Sequence, residues 1–414
     1  MTNSRHPTFQ VLALPAVRIF LLARFSMLFG RSLIAAMLAY HLFAITDSYA
    51  ALGLLGLIEF LPVIPISLLG GVLADRFERK RLLMITASGS LIGAAFLTYL
   101  SAQSPESVTG LLSAAFGLAV INAISRPAGS ALLPNLVPRS IFQNASVVNS
   151  SVVQAAFISG PIAMGFLMAQ YGFEAPYGLA FFSYVLTLVF LLLLSVPPME
   201  KKESEISWGS VREGITFVWK HQPILGSMTL DMLAVIFAGA TALLPVYADE
   251  ILKVGPEGYG FLRAAMAVGT LSMALILMTL KPFERPGRAL LVSVFLFGVA
   301  TIVFGLSRSL TLSILAFIVA GMADQVSMTT RSVILQLSTP DSLRGRVSAV
   351  NFIFIGASNE LGDAESGFLA SLTSATFSVV SGGVACLGVL GWVASRMPEL
   401  RNYRPDAHGV HEGG

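Results

Sequence analysis

Long, unbroken apolar runs recur about twelve times along this chain, and they leave few folds open. A bilayer-spanning helix needs ~20 such residues. The runs lie near residues 18–44, 50–74, 82–101, 108–134, 143–171, 174–197, 223–248, 257–281, 288–306, 309–336, 346–372 and 374–396. They are continuous rather than alternating, which argues against a transmembrane β-barrel. Charged residues make up only 12% of the sequence and the mean hydropathy is +0.77. Soluble domains usually carry about 25% charged residues. An all-α membrane protein of twelve spans is the expectation.

The charges between the runs give orientation. Alternate loops carry Arg76, Arg79, Lys80 and Arg81; Arg139; Lys201, Lys202, Arg212 and Lys220; Lys281, Arg285 and Arg288; Arg344 and Arg346. The opposite loops hold Lys253 and Arg308 among Asp47, Glu106, Glu174, Asp249, Glu250 and Glu257. Basic loops stay on the cytoplasmic side, so both termini are expected there. The net charge of +3 therefore points to membrane topology and not to nucleic acid. A cleavable leader is not expected, because the first run is long and contains Arg24 and Arg31. The single cysteine, Cys386, lies in an apolar run, so neither a disulfide framework nor a metal cluster is expected. No phosphate-binding loop and no nucleophile–base pattern is visible, so the chain reads as a non-enzyme without cofactors.

The longest polar stretch divides the chain near its midpoint. Five segments follow: a cytoplasmic N-terminus (1–17), a six-span half (18–197), a linker (198–222), a second six-span half (223–397) and a cytoplasmic tail (398–414). In the linker, Ser207 is a candidate cap for a short helix with Val211, Ile215, Val218 and Trp219 on one face. Such a helix would lie on the inner leaflet. The halves repeat each other. Pro138-Arg139-Ser140-Ile141 matches Pro340-Asp341-Ser342-Leu343, and at the same offset Ser146, Val148 and Asn149 match Ser348, Val350 and Asn351. Gly165-Phe166-Leu167 matches Gly367-Phe368-Leu369. The offset covers an even number of spans, which makes the repeats parallel and places a substrate cavity between them.

Between the second and third runs stands Gly70-Gly71-Val72-Leu73-Ala74-Asp75-Arg76-Phe77-Glu78-Arg79-Lys80-Arg81. It resembles the loop motif of the major facilitator superfamily of transporters, with Glu78 where glycine is usual. Gly160-Pro161-x-x-Met164-Gly165, in the fifth run, resembles the exporter motif of that superfamily, with Met164 in place of a second glycine. Leu133-Pro134 followed by Asn144-Ala145, Ala242-Leu243-Leu244-Pro245, Arg344-Gly345-Arg346-Val347 and Ser358-Asn359-Glu360-Leu361-Gly362 resemble the bacterial branch of enterobactin exporters and macrolide-efflux-like proteins. The resemblance covers residues 15–397. It implies the major facilitator fold in the bacterial inner membrane. It also implies that Gly71, Asp75, Arg76 and Arg79 form a conformational latch, with Asp75 meeting the start of the eleventh span. Gly160, Pro161 and Gly165 would form a kink that seals an exporter against proton leak. Phe77-Glu78-Arg79 recurs in the second half as Phe283-Glu284-Arg285. By that alignment the position equivalent to Asp75 is Lys281, so the latch is expected on one side of the repeat only.

Charges inside spans are costly and are functional candidates by default. Arg24 and Arg31, seven positions apart, share a face of the first span, and Asp324 and Arg331 share one of the tenth. Arg126 lies in the fourth and Asp231 in the seventh. By resemblance these four spans line the cavity. Glu59 lies in the second span; Glu360, Asp363 and Glu365 lie in the eleventh, the first two on one face. Burial lets a carboxylate hold a proton near neutral pH, which proton antiport requires. Cavity or coupling roles are therefore assigned to Arg31, Glu59, Arg126, Asp231, Asp324, Arg331, Glu360, Asp363 and Glu365. His41 reads as structural. The expected function is a monomeric exporter of amphipathic or anionic small molecules, such as siderophores, metabolites or drugs, driven by protons. The rivals are a lipid or lysolipid flippase on the same fold and a non-transporting membrane sensor.

Overall fold

The computed structural model describes residues 11–63, 65–66, 78–103, 107–196, 208–340 and 343–404. Among these residues the regular structure is helical and no strand occurs. Apolar solvent leaves no outside partner for backbone N–H and C=O groups, and helices satisfy them internally. The helices are α1 (Pro15–Thr46), α2 (Tyr49–Phe60), α3 (Arg79–Ser101), α4 (Val108–Leu136), α5 (Phe142–Tyr171) and α6 (Glu174–Leu193). A linker helix, α7 (Trp208–Lys220), follows. Then come α8 (Gln222–Ala238), α9 (Gly255–Thr279), α10 (Pro286–Leu306), α11 (Leu310–Ser338), α12 (Arg344–Leu372) and α13 (Ala375–Arg396). Several ends obey simple chemistry. Proline opens α1, α8, α9 and α10, where its missing N–H costs nothing. Ser107 and Ser374 cap α4 and α13, accepting the N–H groups of Gly110 and Phe377.

Ten helical stretches among the described residues are long and apolar enough to cross a membrane. The chain is a multi-pass membrane protein. The eleventh span, α12, is 29 residues long but carries Arg344, Arg346, Glu360, Asp363 and Glu365, which lower its hydropathy. The second span is described as α2 plus a short continuation to residue 66.

The seventh span departs from expectation. It is not one helix over 223–248. It stops at Ala238, passes through a 3₁₀ turn (Thr241–Leu243), and resumes as a short α-turn (Leu244–Val246) and a π-turn (Tyr247–Ile251). Gly239 weakens the helix and Pro245 cannot donate back into it. Neighbouring side chains satisfy the freed backbone. Ser366 Oγ donates to Gly239 O at 3.0 Å, and Ala242 N–H donates to Asp363 Oδ1 at 3.1 Å.

The chain forms two compact units. The first comprises residues 1–47, 61–204 and 255–264; the second comprises 48–60, 205–254 and 265–414. Each unit thus contains a short segment from the other half of the sequence. In the first unit, α1 packs along α5 and α6, and α3 along α4 and α6. Its core includes Val17, Phe20, Leu21, Leu82, Leu83, Leu132 and Leu191. Lys80 Nζ donates to Leu194 O at 2.7 Å, closing the C-terminal end of α6.

In the second unit, α2 packs on α12 through glycines. A Cβ at Gly56 would stand 2.7 Å from Ala364 N, and one at Gly53 would stand 2.9 Å from Phe368 N. The linker helix α7 docks on the start of α12. Gly214 abuts the backbone of Arg346, and Glu213 pairs with the Arg346 guanidinium. Its expected single apolar face is divided. Val218 is buried with Ile224, Met228, Leu335, Val347 and Val350, whereas Ile215 and Trp219 are exposed. Residues 398–401 form a short helix, and Leu400 and Tyr403 are buried against the unit.

Candidate functional site

In the first unit the closest helix crossings fall at the glycine–proline stretch of α5. Pro161 stands inside a helix that runs without interruption from Phe142 to Tyr171. Beside it, Ser32 of α1 donates to Ala156 O at 3.0 Å. A Cβ at Gly160 would collide with Ser32 Oγ and lie 3.0 Å from Leu33 N. On the other side, a Cβ at Gly165 would lie 2.5 Å from Pro256 O, and one at Gly260 2.5 Å from Pro161 O. Gly160 and Gly165 therefore let two neighbours meet α5 at backbone distance, α1 at one end of the motif and the start of α9 at the other.

The charges of this unit are spread along α1. Arg24 is directed at α4, with its Nη1 2.5 Å from where a Cβ at Gly129 would be. Arg31 lies beside Tyr184, whose ring packs on Gly30. His41 is fully buried, stacks on Phe173 at 4.3 Å and bonds Tyr177 OH through Nδ1 at 3.1 Å. Arg126 belongs to α4, but its side chain lies outside the described residues, as do Gly71, Asp75 and Arg76. Of the four latch residues, Arg79 is described, as the first residue of α3.

The second unit gathers most of the acids. Asp231 of α8 forms an ion pair with Arg331 of α11, and Ser327 Oγ donates to Asp231 Oδ1 at 3.1 Å. Asp231 and Arg331 are both buried. Asp324, two turns before Arg331, is separate from that pair. It lines a cavity of about 120 Å³ together with Gly239, Thr241, Phe297, Phe304 and Asn359. On α12, Asp363 binds the break in the seventh span and its Cβ abuts Gly56 of α2. Glu59 is three residues beyond Gly56 and Glu360 three before Asp363, so both extend the faces that carry this contact. Glu365 stands next to Ser366 at 3.5 Å. The seam between α2 and α12 therefore carries Asp363, with Glu59 one turn further along α2, while Asp231, Asp324 and Arg331 lie along α8 and α11.

Two features escape sequence reasoning. The break at residues 239–243 converts a span into two pieces and exposes backbone to a cavity. Its readable signal is Gly239 and Pro245, six residues apart in an apolar run. The hydroxyl of Tyr49, at the start of α2, donates to Glu250 Oε2 at 2.5 Å. Both residues sit at the ends of apolar runs, where polar side chains are ordinary, and nothing in the spacing couples them.

Comparison with known proteins places this geometry in a family. Residues 8–410 match the family described as transmembrane secretion effectors. The enterobactin exporter EntS of Escherichia coli strain K12 is 28% identical over 402 residues, covering 94% of both proteins. Among solved structures, a POT family transporter in complex with a thioalcohol-conjugated peptide superimposes with a TM-score of 0.74 at 15% identity, covering 93% of this chain and 96% of that one. The nucleoside transporter NupG gives a TM-score of 0.71 at 14% identity, over 94% of this chain and 100% of that one. These two structures share the fold.

Proposed function

Because the chain belongs to the transmembrane secretion effector family of the major facilitator superfamily, we propose that it exports amphipathic or anionic small molecules in exchange for protons. The chain has the twelve-helix major facilitator fold and is a secondary transporter that exports small molecules, not an enzyme. Proton antiport rests on one observation above all: the carboxylates at the α2–α12 seam. Asp363 binds the backbone at the break in the seventh span and touches Gly56 at close range. A proton gained or lost among Glu59, Glu360 and Asp363 changes the charge at a contact between helix backbones, and so changes how the two helices pack. The seam thus joins protonation to helix movement.

The substrate class rests on the arginines of the first half, with Arg31 set beside Tyr184, and on the similarity to enterobactin exporters. A siderophore, a metabolite or a drug with an acidic or catecholate group fits. The basic loops favour both termini in the cytoplasm, the similarity to enterobactin exporters favours a bacterial inner membrane, and the transporter is read as a monomer. The deciding experiment is a substrate screen in everted vesicles under an imposed pH gradient. Gradient-driven uptake that a protonophore abolishes is expected. At least one of Glu59→Gln, Asp324→Asn, Glu360→Gln, Asp363→Asn and Glu365→Gln should remove it. If all five retain it, coupling does not run through these acids.

A further inference from the structure

The cavity at the break of the seventh span is a site in its own right. Three properties converge on its ligand. First, its wall holds a carboxylate with no opposing charge. Asp231 is occupied by Arg331 and Ser327, whereas Asp324 makes no hydrogen bond or ion pair with any described residue. Asp324 lines both the main cavity and a small void of about 10 Å³ that reaches Asp231 and Ser327. Second, α8 ends at this cavity. Ala238, Gly239 and Ala240 line it, so the negative end of a helix dipole faces the same space as the carboxylate. Third, the remaining wall is aromatic. Phe297, Phe304 and Phe317 line it, and Phe304 and Phe317 meet edge to face at 4.5 Å.

An anion is disfavoured twice in such a space, by Asp324 and by the helix end. A neutral apolar molecule leaves the carboxylate desolvated and unanswered. A hard metal ion needs about six oxygen ligands. The side-chain oxygens on offer belong to Asp324, Asn359, Thr241 and Thr301, and the Thr301 hydroxyl already donates to Phe297 O at 3.0 Å. Aromatic faces around a carboxylate are the chemistry that holds quaternary ammonium groups. The size agrees: 120 Å³ is a little below the ~150 Å³ that takes up benzene in an apolar cavity. We propose that this cavity, walled by Asp324, Phe297, Phe304 and Phe317, binds an organic ammonium head group.

The site is contained within the second unit, and its occupancy can be measured without any transport. The test is therefore equilibrium binding of radiolabelled choline to the purified full chain in detergent, with no gradient. Choline should bind and be displaced by tetramethylammonium. It should not be displaced by 3,3-dimethylbutan-1-ol, its uncharged isostere. Asp324→Asn should weaken binding by about tenfold or more, the value of one charge-assisted contact. Phe317→Leu keeps an apolar wall, removes the aromatic face, and should weaken binding by about threefold or more. Absence of choline binding to the native chain at millimolar concentration overturns the proposal. So does equal displacement by the neutral alcohol, or native affinity in Asp324→Asn. Should Asp324→Asn not fold, native affinity in Phe317→Leu overturns it as well.

Discussion

The backbone N–H of Ala242 donates to Oδ1 of Asp363 at 3.1 Å, so a carboxylate of α12 holds the break in the seventh span. Asp363 thereby combines an acceptor, which the fold uses, with a charge, which the proposed proton coupling would use. The two can be separated. Asp363→Asn keeps an acceptor oxygen and should melt within a few degrees of the native protein in detergent. Asp363→Ala leaves the Ala242 N–H without its partner and should cost about 1–3 kcal/mol. Gradient-driven efflux should fall in both. Native efflux in Asp363→Asn would reduce this residue to a backbone clamp.

The buried pair of Asp231 and Arg331 predicts a different pattern. Removing one partner strands the other charge in an apolar setting, a loss of about 3–5 kcal/mol. Asp231→Asn and Arg331→Gln should each lower the melting temperature sharply. The double variant has no stranded charge and should melt above either single variant. Thermal melting of the three in one detergent decides it. A double variant that melts below both singles would mean that the two residues stabilise the fold separately.

Much of this arrangement is legible in the sequence. The span boundaries follow from apolar runs, because a bilayer allows few alternatives to a helix of ~20 residues. The apolar run at 143–171 predicts the fifth span, and α5 runs from Phe142 to Tyr171. The seventh-span break was not legible, because Gly239 and Pro245 are both tolerated in membrane helices and a hydropathy window averages over them. The pairing of Asp231 with Arg331, and the separateness of Asp324, depend on which way each side chain turns between neighbours. Spacing along one helix puts Asp324 and Arg331 on a common face but says nothing of Asp231 on another. The division of α7 has the same origin. Val218 is drawn under by Leu335 and Val347, which lie far away in sequence, while Trp219 next to it stays out.

Gly160 supplies a stability prediction. A methyl group there meets Ser32 Oγ and the backbone at Leu33 and Phe29, none of which is the end of a long flexible side chain. Gly160→Ala should destabilise by about 1–3 kcal/mol through overpacking. Gly178, with open space at its Cβ position, provides the control. Gly178→Ala should lie within about 0.5 kcal/mol of native. Equal melting temperatures for the two variants would show that α1 can move off α5 without loss.

The latch is predicted from the loop motif's resemblance, and its one-sidedness from the repeat, since Asp75 lies outside the described residues. An acid favours the N-terminal end of a facing helix and a cation does not. The second half carries Lys281 where the first carries Asp75. Asp75→Asn should lower transport while the amount of protein in the membrane stays near normal. Lys281→Ala should do much less. Transport rates normalised to membrane abundance make the comparison, and equal losses from both variants would remove the asymmetry.

Substrate charge is predicted from the first half of the chain. Its spans carry Arg24, Arg31 and Arg126 against one acid, Glu59, away from the loops. The sum is positive, and a positive interior favours an anion. Arg31 stands deepest of the three in sequence, well inside α1, and sits beside Tyr184. A guanidinium meets a carboxylate or catecholate through two parallel N–H donors, which an ammonium group cannot reproduce. Arg31→Lys should therefore weaken binding of an anionic substrate, and Arg31→Ala should weaken it further. Uncharged compounds should respond less, because they gain little from either donor. Binding measured across an anionic and a neutral member of one compound series separates the cases. If the anionic member binds Arg31→Ala as tightly as it binds the native protein, the arginines of this half serve the fold, and the substrate is chosen elsewhere.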